Sequence, residues 1–435
     1  MKIGVVADDL TGANATGVRL SKQGFSAATV VYRDQIPDSQ ELDAVSIDTD
    51  TRYANQQSVV KRIRKTMQSF REWNAKVICK RIDSTIRGNI GLEIDTMLEE
   101  VEENSLAVVV ASFPDSGRIS SGGYLLVDGI PVQATDVAKD PVMPITQSFI
   151  PDIIQNQSEQ PVGHIGLDKV LAGNSRLREA FDEQINQQNR IVVVDAVTDE
   201  EIDTIAETIA GIETVKIIPV DPGPLTAAYS RSFLNQFNDS GKMIVTVGSV
   251  TTLTGQQLRY LIDKTASNPV YVSAEKLATL TTSWEEEVQR ATAEALERIN
   301  ENDVLIITTY QEGSGLIDFH SIAEKEKAPQ DALAKRITDG LAKITRLVLE
   351  RTQHSIQGCF TSGGDVTASL CAICMASGIK LMDEVLPLAA YGKMIGGHFP
   401  GLPIVTKGGM VGDKKAIFTS VKHLKTTYTK RSAQR

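Results

Sequence analysis

The sequence is poor in cysteine, and that scarcity closes off a class of protein. Four cysteines in 435 residues cannot make a disulfide scaffold. One pair, Cys371-Ala-Ile-Cys374, has the spacing of a redox or zinc motif. No second pair and no histidine at ligand spacing accompanies it, so it reads as buried helix-face cysteines. No apolar run reaches the 18 residues that a membrane span needs. The N-terminus meets Asp8-Asp9 before any apolar core of signal-peptide length, which with the low cysteine content reads as a cytoplasmic chain. Basic charge is also short. The net charge is −10 and the pI about 5.2, so there is no cationic footprint for nucleic acid. The basic C-terminus (Lys422, Lys425, Lys430, Arg431, Arg435) reads as a frayed end, with residues 426–435 as a tail. Neither a GxGxxG fingerprint nor a Walker A loop is present, which argues against a dinucleotide-dependent dehydrogenase and a P-loop enzyme.

Apolar residues make up 41% of the chain, enough for sizeable cores and against disorder. The length exceeds one ordinary core, so two domains are expected. Short β-rich runs alternate with helical patterns through the first half: Lys2–Ala7, Ala27–Val31, Ala44–Ile47, Lys76–Lys80, Leu106–Ala111, Ile191–Asp195 and Val215–Ile218. A second alternating block starts at Met243, after the polar run Asn235–Lys242, which has the composition of a linker. Its strands are expected at Met243–Val247, Val270–Val272, Val304–Thr308 and Gln357–Thr361. The fold expected is α/β: two domains, residues 1–236 and 242–425, each a mostly parallel sheet flanked by helices, with the active site in the cleft between them. Residues Phe113–Met143 break the alternation and read as an irregular insertion with a hairpin at Asp128-Gly129.

Chemistry-bearing residues cluster where strands end. Lys80, Arg81, Asp83, Ser84, Thr85, Arg87 and Asn89 lie within ten residues, between an apolar strand and a helical pattern. Such a turn suits a small anionic ligand that also carries hydroxyls: Arg and Lys hold a carboxylate or phosphate, and Asp accepts from hydroxyls. Asp8-Asp9 ends the first strand and Asp48-Thr49-Asp50-Thr51-Arg52 follows another. Parallel strands put their C-terminal ends on one edge, so the three clusters converge on one site. In the second block, Thr361-Ser362-Gly363-Gly364-Asp365 leads into a helix and exposes backbone N–H groups to a phosphate. Val247-Gly248-Ser249 and Lys407-Gly408-Gly409 add two further glycine turns and a point charge. Together they make a nucleoside triphosphate the ligand expected there. Gly396-Gly397-His398 reads as a flexible turn, and its lone histidine as solvated or structural.

In order along nearly the whole chain, Ala7–Asn14 (ADDLTGAN), Asp48–Arg52, Lys80–Asn89 (KRIDSTIRGN), Val247–Ser249, Thr361–Asp365 and Lys407–Gly409 resemble the motifs of the four-carbon acid sugar kinases. The resemblance implies an N-terminal domain for the sugar acid and a C-terminal domain for ATP with Mg²⁺. It carries substrate contacts to Asp9, Arg52, Arg81, Ile82, Asp83 and Ser84, to which the residue chemistry above adds Lys80. It carries nucleotide contacts to Ser249, Ser362, Gly363, Gly364, Asp365, Gly408 and Gly409, to which the residue chemistry adds Lys407. The activity implied is transfer of the γ-phosphoryl of ATP to the terminal hydroxyl of D-threonate or D-erythronate, with 3-oxo-tetronate as the alternative acid. Asp365, Asp83 and Asp9 stand as alternatives for the catalytic base, and a homodimer is a possible assembly. Many members have Asp where this chain has Ala15, which touches substrate preference. An inactive sugar-acid sensor is the reading from another class, and the retained Ser-Gly-Gly-Asp and Lys-Gly-Gly turns speak against it.

Overall fold

The computed structural model describes the chain except residues 32–35, 38–40, 102–103, 238–240, 314–316, 353–355 and 433–435. It divides into two compact units, Met1–Asn238 and Asp239–Arg435.

In the first unit the strands are β1 (Ile3–Ala7), β2 (Ala27–Val31), β3 (Ala44–Asp48), β4 (Val77–Arg81), β5 (Ser105–Val109), β6 (Arg118–Ser121), β7 (Tyr124–Val127), β8 (Ile130–Pro131), β9 (Val162–Ile165), β10 (Ile191–Val194) and β11 (Lys216–Asp221). Eight of them form one parallel sheet in the order β2-β3-β1-β4-β11-β5-β10-β9. Strands such as β1 and β5 are buried along their whole length, as unbroken Val/Ile runs covered on both faces require. One face is sealed by Ile63, Met67 and Phe70 of the helix Gln56–Glu72 with Ile94, Met97 and Leu98 of the helix Ile90–Glu100. Leu20, Phe181, Ile205 and Leu225 seal the other.

The irregular insertion is a small antiparallel sheet, β6-β7-β8. Its last turn is Asp128-Gly129, both at positive φ, at the expected hairpin.

In the second unit the strands are β12 (Lys242–Val247), β13 (Val270–Tyr271), β14 (Val304–Thr308), β15 (Ile356–Ser362), β16 (Gly378–Leu386), β17 (Ala389–Ile395) and β18 (Pro403–Lys407), in the order β13-β14-β12-β15-β18-β17-β16. The first five are parallel, and β17 and β16 close the sheet antiparallel. Three of these strands, β16 to β18, escaped the sequence pattern, as did β9. Gly396-Gly397 turns the chain just after β17, both residues at positive φ. The helix Pro224–Phe237 runs into the expected linker, whose residues 238–240 lie outside the described residues. The helix Ala416–Ser432 replaces most of the expected tail. Cys374 is buried and Cys371 half-buried, and both are free thiols.

Both large sheets reverse their direction of growth beside their first strand. From β1 the chain builds β2 and β3 on one side and then crosses to β4; from β12 it builds β13 and β14 and then crosses to β15. Each crossing leaves a crevice at the carboxyl ends of neighbouring strands, the usual ligand position in such sheets.

Candidate active site

At the crevice of the first unit, three loops are stitched together by backbone and side-chain bonds. Thr51 and Arg52 donate their N–H groups to the Asp8 carbonyl at 3.0 and 3.3 Å, and Thr49 donates its hydroxyl to the Ala7 carbonyl at 2.7 Å. Asn89 donates its side-chain amide to the carbonyls of Thr51 and Ala54 at 2.9 and 3.0 Å, locking the loop after β3 to the loop after β4. The amide at the end of the KRIDSTIRGN run therefore orders a neighbouring loop.

The charged side chains form one network inside this frame. Arg52 reaches Asp8 Oδ2 at 2.6 Å, Asp9 Oδ1 at 3.0 Å and Asp83 Oδ1 at 3.5 Å. Arg81 reaches Asp8 Oδ1 at 3.3 Å and Asp9 Oδ1 at 3.6 Å, and its Nε is buried with no hydrogen-bond partner among the described residues. Asp9 also caps the helix Leu10–Lys22 by accepting from the Gly12 N–H at 2.9 Å. A side chain at residue 12 would displace the Arg81 guanidinium, because its Cβ would lie 2.3 Å from Arg81 Cζ.

Asp83 is the hub of its turn. It accepts from the Thr85 hydroxyl at 2.5 Å and from Arg87 Nε and Nη2 at 2.8 and 3.1 Å. Burial acts to raise its pKa, but these bonds and the charges of Arg87 and Arg52 carry it down to about 2. The same bonds hold Ile86 at φ +60°, a conformation that costs a β-branched residue about 1–3 kcal/mol. Ser84 is half-buried and its hydroxyl makes no hydrogen bond among the described residues.

Two of the expected substrate contacts lie elsewhere. Lys80 is fully buried, its Nζ 2.7 Å from Glu93 Oε2 and 2.8 Å from the Arg81 carbonyl. Ile82 is 1% exposed and belongs to the apolar layer beneath the site. Sequence reading passed over Glu93, Arg87 as the Asp83 partner, and Asp140, which accepts from Arg87 at 3.1 Å and Tyr53 at 2.8 Å. Asp140 sits in the irregular stretch and carries no local signal.

At the crevice of the second unit, β12, β15 and β18 are adjacent, so Ser249, Ser362–Asp365 and Lys407–Gly409 come to one place. Thr254 joins two of the loops, its hydroxyl 2.9 Å from Ser249 Oγ and 3.1 Å from the Gly409 carbonyl. Gln257 holds the far side by donating to the carbonyls of Val411 and Asp413 at 2.9 and 2.8 Å. Neither residue has a sequence signal. Gly363 has φ +105° and donates its N–H to the Lys407 carbonyl at 2.9 Å, which sets the start of the helix Gly364–Ile373. That helix has no side-chain cap, and Gly364 and Asp365 in its first turn are exposed. Ser362 Oγ is buried without a hydrogen-bond partner among the described residues. Open N–H groups at a helix N-terminus favour a phosphate. Lys407 is 2% exposed, has no carboxylate partner among the described residues, and donates to the carbonyls of Gly408 and Val411 at 2.6 and 3.2 Å. Burial pushes its pKa down to about 8.

Two family models divide the chain in the same way. Residues 3–229 match the sugar-binding N-terminal domain, and residues 244–417 the nucleotide-binding C-terminal domain. A D-erythronate kinase of Heliobacterium modesticaldum is 42% identical over 97% of both chains. The chain belongs to the four-carbon acid sugar kinase family. Membership makes it a sugar-acid kinase, with ATP as the phosphoryl donor that its nucleotide-binding half implies. A D-threonate kinase of Salmonella typhimurium is 29% identical, covering 98% of this chain and 99% of its own. A crystal structure of a Bordetella bronchiseptica protein, a domain-swapped dimer with bound citrate, is 27% identical, with a TM-score of 0.75 over 98% of this chain and 99% of its own.

Proposed function

We propose that the protein transfers the γ-phosphoryl of ATP to the 4-hydroxyl of D-erythronate, with D-threonate as the second substrate to test. The observation that carries the reading is the Asp8–Asp9–Arg52–Arg81–Asp83 network at the end of a parallel sheet, where guanidinium and carboxylate groups stand side by side. Arg52 and Arg81 clamp the substrate carboxylate. Lys80 supports them from below through Glu93. Asp9, Asp83 and Ser84 read hydroxyls. The erythronate choice rests on the 42% relative. Ala15, half-buried on the helix Leu10–Lys22, is a further candidate for setting isomer preference. With purified protein, ATP consumption is expected with D-erythronate above D-threonate and 3-oxo-tetronate. No turnover with any of the three overturns the substrate assignment.

For the nucleotide, Ser249, Ser362–Asp365 and Gly408-Gly409 cradle the phosphates, and Lys407 places a positive charge beneath them. The described residues hold no cluster of three or more metal-ligating side chains, and Mg²⁺ fits the cradle as an ion carried by the triphosphate. The Ser249 hydroxyl is the oxygen donor offered to it, and it would neutralise charge on the transferring phosphoryl group. Asp365, exposed at the helix start, is the proposed base that takes the proton of the attacking hydroxyl. In-line transfer requires the attacking hydroxyl of the acid and the γ-phosphate to come within bonding reach.

The depressed Lys407 pKa gives this reading a proton signature. In the folded protein without ligand, the group loses its charge as pH rises through about 8; a bound phosphate favours the charged form and moves the titration upward. ATP binding at pH 8 is therefore expected to take up about half a proton, and affinity to fall as pH rises above 8. Calorimetry in buffers of different ionisation enthalpy measures the uptake, and zero uptake would detach Lys407 from the nucleotide.

A homodimer is proposed from the dimeric Bordetella bronchiseptica structure and from the exposed Leu381 and Met382 on edge strand β16. Light scattering giving the 47.2 kDa of one chain would exclude it.

A further inference from the structure

The irregular stretch that interrupts the first unit ends in Asp140-Pro141 and two further residues. A proline restricts the residue before it to extended or polyproline-type backbone, and Asp140 has φ −54° and ψ 125°. In that shape its side chain folds back over its own turn. Oδ1 accepts the N–H groups of Val142 and Met143, both at 2.9 Å. These bonds, the Met143 one first, hold the carboxyl well below its usual range, so the group stays charged. Oδ2 is left for other partners. It accepts from the Tyr53 hydroxyl at 2.8 Å and from Arg87 Nη1 at 3.1 Å.

Those two partners belong to the two loops that carry Arg52 and Asp83. Tyr53 follows Arg52 in the chain, and Arg87 grips Asp83 through Nε and Nη2. A cavity of about 280 Å³ opens beside Arg87, lined also by Ile86, Met143 and Gln157. Packing on that side therefore does not fix the guanidinium. Two carboxylates do: Asp83 at one edge and Asp140, its side chain 8% exposed, at the other. The consequence reaches the oxygens of Asp83. Oδ2 is crowded by the Thr85 hydroxyl and Arg87 Nε, whereas Oδ1 meets Arg87 Nη2 at 3.1 Å and Arg52 Nη2 at 3.5 Å. The direction of Oδ1, the less crowded acceptor, follows the fork of Arg87 and through it Asp140.

We infer that Asp140 is a positioning residue for the acid: without touching substrate, it aims through Arg87 the Asp83 oxygen that reads a hydroxyl. The inference rests on the sugar-acid reading of this network. Steady-state kinetics on the full-length protein test it, with whichever of D-erythronate, D-threonate and 3-oxo-tetronate the wild type turns over fastest. Asp140→Asn keeps an oxygen for the Val142 and Met143 N–H groups and turns an NH₂ towards Tyr53 and Arg87, which are themselves donors. It is expected to raise KM for the acid about tenfold, with kcat within about threefold and ATP affinity as in the wild type. Partial loss of fold would lower kcat by removing active enzyme and leave KM alone, so the split separates positioning from stability. Arg87→Gln is expected to raise KM at least as far, and the double variant no further, because Asp140 acts through Arg87. Tyr53→Phe, at an exposed ring, takes one bond from Asp140 and is expected to raise KM about threefold. Three results overturn the inference and leave the sugar-acid reading standing: an unchanged KM in Asp140→Asn, an unchanged KM in Tyr53→Phe should the first variant fail to fold, or additive increases in the double variant. A wild type that turns over none of the three acids instead overturns the sugar-acid reading, and the inference with it.

Discussion

Arg52→Ala is expected to lower kcat/KM for the four-carbon acid by about 10³-fold while ATP affinity stays within about twofold of the wild type. Arg52 faces Asp8, Asp9 and Asp83 at once and its side chain is 12% exposed. Truncation removes the planar fork that holds a carboxylate and leaves three acids facing one another with one cation fewer. Truncating one partner of a buried, hydrogen-bonded charge pair costs about 2–5 kcal/mol of binding, about one and a half to three and a half decades of affinity. The loss also reaches stability, so a lower melting temperature accompanies it. Arg52→Lys keeps the charge without the fork and is expected to recover only part of the activity. Steady-state kinetics with the acid varied, and calorimetry with ATP alone, separate the two halves. A variant that loses ATP affinity and keeps the acid KM would exchange the roles of the two units.

Asp365→Asn is expected to lower kcat by about 10³-fold and to move neither KM by more than a few-fold, the usual scale for loss of a general base. Three carboxylates compete for that role, and their surroundings separate them. Asp83 is held at about 2 by Arg87, Thr85 and Arg52, which makes it a weak base. Asp9 spends one oxygen on the Gly12 N–H and faces Arg52 and Arg81. Asp365 is exposed, with no ion pair among the described residues. Single-turnover kinetics at saturating substrates read the chemical step directly. Recovery of the variant by raised Mg²⁺ would make Asp365 a metal ligand, and an unchanged kcat would pass the role to another group.

The parallel architecture and the meeting of the strand-end clusters were legible in the sequence, because alternating strands and helices leave few ways to arrange a buried sheet. Lys80 shows where that reading runs out. Adjacent residues of a strand point to opposite faces. Once β4 extends to Arg81, Lys80 is turned away from Arg81 and into the core. Its partner Glu93 lies 13 positions along, on a separate helix, with no local pattern to announce it. Strand β16 was missed for a different reason: residues Lys380–Glu384 are exposed in succession, so no alternation marks it. Thr254 and Gln257 hold the glycine loops through two hydrogen bonds each, and nothing in their neighbours sets them apart from ordinary helix residues.

The guanidinium of Arg81 lies against the first turn of a helix, where a cation is disfavoured, and Asp8 and Asp9 keep it there. Across the whole sugar-side network, Asp8, Asp9, Asp83 and Asp140 nearly balance Arg52, Arg81 and Arg87 before any ligand enters. An arriving acid therefore finds a lattice of ions that is already close to neutral. On the proposed assignment, its carboxylate would take over contacts that side chains now make with one another. Recognition of this kind is an exchange of neighbours and not the filling of an electrostatic vacancy. It places the burden of selectivity on shape and bond direction, where two epimers differ, and little on total charge, where they are identical.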